Sequence, residues 1–340
     1  MKKILVITML CLASVVFAQD NPLVAKVKLT ESVDITKAEY ENQANYLAKV
    51  RNAPLDNKAK KDLLDLMIAE VLINQAATRD GIVVTDGDIL KEIRKQVDQN
   101  LSDDKLKQAV TQKFKVSWDE YVKIARKTLV QKIYLEQKKG SEYLTVPEPS
   151  SEEINNFYQT NATQFVNPEM VRANHIFWDT RGKSQEEKAA MLKEATQVQK
   201  DIANGKYNFY KMVQQYTQDN NSRSRGGDMG YIARNDKRVL QTLGSVFFQK
   251  LFTMKVGELS QVMESNVGYH IVQLNEHLSQ RFLKLTDPIS PVDKTTVQQY
   301  IRAQMMNQQG QYQLQKAVNE LVNEIKKDPN TKITIYEENL

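Results

Sequence analysis

Histidine is the most restricted polar residue in this 340-residue chain: the three copies, His175, His270 and His277, all lie between positions 169 and 287. His175 sits in Val171-Arg-Ala-Asn-His-Ile-Phe-Trp178 and His270 in Val267-Gly-Tyr-His-Ile-Val-Gln-Leu274, and both runs read as strands. Side chains alternate across a strand. Ala173, His175 and Phe177 therefore share one face, and Gly268, His270, Val272 and Leu274 share one face of the other. Taken singly, each reads as a core histidine satisfied by a backbone partner. Two in one small sheet weigh toward a site, because a neutral imidazole pair can fix tautomers and hydrogen bonds around a reacting group.

Templates for covalent or metal chemistry do not match. A metal site asks for His, Asp or Glu at short fixed spacings, whereas His175 and His270 stand 95 positions apart with no third ligand nearby in sequence. No G-x-S-x-G, P-loop or G-x-G-x-x-G occurs. The run Gly226-Gly-Asp-Met-Gly230 reads as a loop entering a strand, since no Lys-Ser or Lys-Thr follows it.

The elements that would position these residues are marked by proline and glycine. None of the eight prolines lies between 169 and 287, while eight of the twelve glycines do, which outlines a turn-rich unit with proline at both borders. The flanks look helical. Thr36 is placed to cap a helix over 37 to 51, and Asp56 one in which Leu64, Met67, Ile68, Val71, Leu72 and Ile73 recur at the 3.6 period before Gly81 closes it. Thr85 caps a shorter helix, Ser117-x-x-Glu120 opens one that Gly140 ends, and Ser150-x-x-Glu153 opens another. A run from about Thr296 to Lys327 keeps helical spacing, with Gly310 as its weak point, and must bury its stripe against the first flank. Lys332 to Tyr336 alternates like a strand and can pair with Val24 to Leu29, so the chain ends meet across an inserted middle unit.

Composition excludes more than it names. With 47 Lys+Arg against 42 Asp+Glu the net charge is +5, or +3 without Lys2 and Lys3, which argues against nucleic acid as partner. Lys2-Lys3, the apolar run Ile4 to Phe17, and Val16 and Ala18 read as a secretory signal cut after Ala18. Cys11, the single cysteine, lies inside it, so the mature chain has no disulfide, thiol nucleophile or Cys-bound metal. The alternative, a lipoprotein tethered through Cys11, wants a small residue before the cysteine, where Leu10 stands.

The order His175-Ile176, Phe209-Tyr-Lys-Met-Val-Gln-Gln-Tyr-Thr-Gln-Asp219, Gly226-Gly-Asp-Met-Gly-Tyr231, Val256-Gly-Glu-Leu-Ser260 and Gly268-Tyr-His-Ile271 resembles the parvulin family of peptidyl-prolyl cis/trans isomerases. The match covers about 169 to 277, and the flanks resemble the helical parts of exported parvulin chaperones of the SurA and PrsA kind. The resemblance implies an α+β protein. A mainly helical chaperone domain is built from 19–167 and 279–340, with an inserted parvulin-like domain at 168–278. Its four-stranded antiparallel sheet has strands near 170–178, 228–233, 260–264 and 267–275, and helices near 185–203, 207–217 and 243–253.

The same resemblance places His175 and His270 side by side in the floor of the site and forms an apolar cup for the proline ring from Met229, Phe247 and Leu243. It puts either Asp219 or Asn220 near the substrate carbonyl. Two departures from the family are visible: 235 to 245 is longer than in compact members, and Val267 stands where many carry Ser or Thr. The implied activity is that of a periplasmic folding factor without cofactor or metal. It binds unfolded, proline-containing polypeptides such as envelope or outer-membrane proteins and isomerises their X-Pro bonds. A non-catalytic holdase with a peptide-gripping parvulin-like domain is the first alternative, and an envelope structural or surface-interaction protein the second.

Overall fold

The computed structural model describes residues 21–340. The expected signal segment 1–18 and its Cys11 lie outside the described residues. In chain order the elements are β1 (Leu23–Lys28), β2 (Ser32–Thr36), α1 (Lys37–Arg51), α2 (Asn57–Arg79), α3 (Asp86–Gln96), α4 (Asp103–Phe114) and α5 (Trp118–Tyr143). There follow α6 (Ser151–Thr160), β3 (Val166–Asn167), β4 (Met170–Asp179), α7 (Gln185–Ala203), α8 (Phe209–Tyr216), α9 (Asn220–Arg223), β5 (Asp228–Ala233), α10 (Lys237–Leu243) and α11 (Ser245–Leu251). The chain closes with β6 (Met263–Glu264), β7 (Gly268–Leu278), β8 (Arg281–Phe282), β9 (Pro288–Ser290), β10 (Asp293–Thr296), α12 (Val297–Lys326) and β11 (Lys332–Ile335). Among the described residues no helix is long and apolar enough to cross a membrane.

The chain forms two compact units, one of residues up to Glu148 with Met305–Leu340, the other Pro149–Gln304. In the first, β1 is the middle strand of a three-stranded antiparallel sheet between β11 and β2, so the two chain ends do pair, Ala25 opposite Ile335. Val24, Val27, Leu64, Ile68, Leu72, Leu321 and Ile325 share one core, which is where the α12 stripe is buried. Thr36 and Thr85 each form a reciprocal capping box, and Asp56 caps α2 through the N–H of Ala59. One sequence expectation fails here: Gly140 does not end α5, which runs on to Tyr143 with the Leu144 side chain over the glycine, whereas α12 runs continuously through Gly310 over the expected span. A single interior glycine costs a helix only about 1 kcal/mol, which packing readily offsets.

The second unit is built on a four-stranded antiparallel sheet in the order β5-β4-β7-β6. It reaches beyond 168–278 on both sides because β3 pairs with β8 and Tyr158 of α6 donates to the Leu283 carbonyl at 2.9 Å. The helix expected over 243–253 is α11, and a further short helix, α10, capped by Asp236, precedes it across Gly244, which takes a left-handed φ of 86°. One face of the sheet packs Ile176, Trp178 and Ile271 against α7 and α8, and the other packs Val171, Ala173, Val272 and Leu274 against α11.

Candidate active site

The ladder between β4 and β7 decides which side chains meet. Phe177 stands opposite His270 and His175 opposite Val272, so the two imidazoles are diagonal neighbours on one sheet face. Their ring centroids are 5.3 Å apart with planes inclined by 26°, and the two Nδ1 atoms are separated by 3.1 Å. Both are buried: His175 is 6% and His270 1% exposed.

The outer nitrogens are held as well. His175 Nε2 lies 3.1 Å from Asp219 Oδ2 and 3.3 Å from Ser222 Oγ, and His270 Nε2 lies 2.8 Å from Ser265 Oγ. The oxygen of Ser265 already accepts the backbone N–H groups of Val267 and Gly268 at 3.2 Å each, and of the two acceptors within reach of its proton, the Gly268 carbonyl at 3.2 Å and His270 Nε2 at 2.8 Å, the shorter contact favours His270. His270 then carries its proton on Nδ1 and donates to His175 Nδ1. His175 in turn donates from Nε2 to Asp219, because a carboxylate only accepts. These proton positions are assigned from the partners. The donors thus run one way, from Ser265 through both rings to Asp219.

Electrostatics agree with that order. Burial pushes the His270 imidazolium well below the ordinary histidine range, the neighbouring His175 adds to the effect, and Asp219 opposes it. The hydrogen bond from His175 holds the Asp219 carboxyl below the usual carboxylate range against the opposing cost of burial. Among the described residues no group of three or more His, Cys, Asp or Glu side chains is placed to hold a metal ion.

Local sequence explains why these groups converge. Asp219 is the N-cap of α9 and accepts from Asn221 N–H, while Thr217 Oγ1 accepts the Phe177 N–H and Gln218 N–H donates to the Phe177 carbonyl. These bonds pin the Asp219 loop to β4 beside His175. The glycines before β5 let a second loop approach the same strand. Gly227 has φ of 82°, and a Cβ there would stand 2.3 Å from the His175 carbonyl oxygen. In this arrangement its own carbonyl accepts the His175 N–H at 2.8 Å.

Of the residues expected from sequence, His175, His270 and Asp219 are joined by hydrogen bonds, whereas Asn220 opens α9 as an exposed residue. Phe247 lies against His270, with ring centroids 4.6 Å apart, and shares one apolar cluster with Leu243 and Met229. The three are not equally accessible. Phe247 is 1% and Leu243 8% exposed, and only Met229 is half-buried, so Met229 offers the contact surface to solvent. His277 stands outside the pair and bonds Glu169 at 2.8 Å. Glu169 is held at about 2 by Arg234 and His277 together.

Sequence reading missed Ser265, Ser222 and Met263. Ser265 supplies the hydroxyl whose loss was expected from Val267, which packs on the apolar cluster instead. Met263 is buried directly opposite His270 in the β6–β7 pair. Phe177, 4.7 Å from His270 between centroids, carried a signal in its alternation with His175.

Comparison with known proteins agrees with the geometry. Residues 175–276 match the family described as Rotamase, the PPIC-type PPIASE domain. Over 263 residues the chain is 24% identical to the Chaperone SurA of Hydrogenovibrio crunogenus, which covers 76% of this chain and 54% of that one. Over 242 residues it is 24% identical to the Foldase protein PrsA of Caldanaerobacter subterraneus subsp. tengcongensis, covering 70% and 65%. A crystal structure of PrsA from Bacillus anthracis is similar at 20% identity over 76% of this chain and 97% of that one, with a TM-score of 0.28. The chain spans between 54% and 65% of the length of the two curated relatives. Residues 175–276 are a parvulin domain of the PPIC type, carried in a chain homologous to the SurA and PrsA proteins.

Proposed function

We propose that the chain is an exported folding factor whose second unit catalyses cis/trans isomerisation of X-Pro bonds in unfolded polypeptides. The observation that carries this reading is the buried His175–His270 pair, tied at its ends to Asp219 and Ser265 and covered by Phe247. Rotation about a peptide bond meets a barrier of about 18–20 kcal/mol, yet no bond breaks, so neither nucleophile nor metal is needed. The twisted amide has lost its resonance. A site that binds the twisted form more tightly than the planar one lowers the barrier by differential binding alone. Met229 offers the pyrrolidine ring an apolar contact backed by the buried Phe247 and Met263, and the neutral imidazole pair positions the Asp219 carboxylate beside it.

The helical unit serves as the cradle for clients. It leaves Val50, Val83, Leu144 and Tyr312 exposed, surface that an unfolded chain can cover. The leader read at residues 1–18 supports export to the periplasm, where envelope and outer-membrane proteins in extended form are the clients.

The test is the isomerisation rate of a short X-Pro peptide with the mature chain, beside suppression of aggregation of an unfolded client. A rate above background that falls in Phe247→Ala, with unchanged circular dichroism, supports the reading. A background rate combined with protection of the client leaves the holdase alternative, and neither effect leaves an envelope structural protein.

A further inference from the structure

The stretch 235 to 245, singled out by its length in the sequence, folds as α10 and the corner at Gly244 that leads into α11. The last carbonyls of a helix have no partner within it and must take one from elsewhere. Here one residue of the β6–β7 turn serves two of them. Asn266 donates its backbone N–H to the Leu243 carbonyl at 3.0 Å and its side-chain Nδ2 to the Gln241 carbonyl at 3.3 Å. Gly244 lies against the same amide: a Cβ there would stand 2.7 Å from Asn266 Oδ1 and 3.0 Å from its Cγ.

Both sides of this contact belong to the site. Ser265, the residue before Asn266, holds His270 Nε2 at 2.8 Å, and Met263 stands opposite His270 in the β6–β7 pair. Across the contact, Leu243 and Phe247 form the helical side of the apolar cluster that backs Met229, with the Phe247 ring 4.6 Å from that of His270. One turn therefore ties the helical wall of the cup to the hydrogen-bonded histidines. Asn266 itself is exposed, so its effect on the site passes through Leu243.

We propose that Asn266 is a positioning residue for the proline cup: by capping α10 from the β6–β7 turn it fixes Leu243 and Phe247 over His270. The proposal rests on the folding-factor reading and deepens it. An apolar wall supports the pyrrolidine ring equally in the planar and the twisted amide, so its displacement weakens binding of both and raises KM with kcat unchanged.

The experiment uses the full chain and a short fluorescein-labelled peptide with one X-Pro bond, its affinity read by fluorescence anisotropy and its isomerisation as kcat and KM. Asn266→Ala is expected to raise Kd and KM together by about three- to tenfold, the fold-change that one net hydrogen bond supplies, with kcat within about twofold. Asn266→Gln keeps an amide donor and recovers most of the loss. Gly244→Ala pushes the Asn266 amide off Gln241 and is expected to give the same rise, yet no further rise in the Asn266→Ala background, where that contact is already gone. The proposal is overturned if Asn266→Ala and Gly244→Ala bind the peptide as tightly as the wild-type chain, or if kcat falls in place of the rise in KM. Peptide binding that depends on Asn266 without any isomerisation sinks the isomerase reading and leaves the contact standing, whereas isomerisation with KM unchanged in both variants does the reverse. A wild-type chain that neither binds nor isomerises the peptide overturns both.

Discussion

His270 and His175 meet through their Nδ1 atoms at 3.1 Å, and the hydrogen bonds through them begin on the hydroxyl of Ser265 and end on the carboxylate of Asp219. The arrangement has a direction because its two ends differ in kind: the Ser265 oxygen already accepts two N–H groups and its proton lies nearer His270 Nε2 than the Gly268 carbonyl, whereas aspartate can only accept. Each ring is therefore held in one tautomer without a metal or a covalent link.

Asp219 and its neighbour Asn220 separate by experiment. Asp219→Ala removes the acceptor for His175 and the cap of α9, and is expected to lower kcat/KM on an X-Pro peptide by roughly ten- to a hundredfold, in line with one charged hydrogen bond. Asn220→Ala changes an exposed residue that touches neither ring and leaves the rate within about twofold. Equal losses in the two variants would remove Asp219 from its special position.

Loss of the Ser265 hydroxyl leaves His270 Nε2 buried without a donor and takes the acceptor from the N–H groups of Val267 and Gly268. Ser265→Ala is therefore expected to cost about 1–3 kcal/mol, or roughly 3–10 °C in the melting of this unit. Ser265→Thr keeps the hydroxyl and restores most of it. Differential scanning calorimetry on both variants decides the point.

Acid destabilises the second unit through His270 and Asp219. Burial depresses the pKa of His270, so below about 6.5 the unfolded chain binds a proton that the folded chain does not. The contribution of His270 is complete above the unfolded value and is lost as pH falls toward the folded one, with a slope of at most about 1.4 kcal/mol per pH unit. Asp219, whose pKa is also depressed, adds its own loss below about 4. Urea unfolding at several pH values between 8 and 5 should show stability falling with pH. In His270→Phe the slope below 6.5 should be shallower by about one proton. An identical slope in the two proteins would mean that His270 accepts its proton while folded.

How far the sequence foretells this site can be argued residue by residue. Alternation places His175 on the face that carries Phe177 and His270 on the face that carries Val272, and the ladder sets these faces side by side. The first unit was equally readable where local chemistry decides: Thr36, Asp56 and Thr85 cap the helices they precede. What could not be read is what depends on register and depth. Ser265 looks like any turn serine until the tight β6–β7 turn brings its hydroxyl to His270 five positions on. The helical run 243–253 does not announce that a separate short helix, α10, precedes it across Gly244. The cup residues share one cluster, but how deeply Phe247 and Leu243 sink was not legible from their types.

The close approach of two loops to β4 gives a last and sharp prediction. Gly227 and Gly230 both have positive φ, 82° and 73°, so an alanine at either pays the left-handed strain of about 1–2 kcal/mol. Their surroundings differ. A Cβ at Gly230 meets nothing within 4 Å, whereas one at Gly227 falls 2.3 Å from the backbone oxygen of His175 and 3.1 Å from its nitrogen. No rotamer relieves a clash with main chain, so in Gly227→Ala the loop must leave the strand. It would give up the His175 N–H to Gly227 hydrogen bond and, through the bond from Gly227 N–H to Ser222, disturb the residues beside Asp219. Gly230→Ala is thus expected to lose only the strain energy and keep its rate. Gly227→Ala should lose about 3 kcal/mol or more and, where still folded, most of its X-Pro isomerisation. Melting temperature and peptide isomerisation measured on the two alanine variants side by side check this. Similar losses in both would show that glycine is needed at Gly227 for its φ alone and not for the nearness of His175.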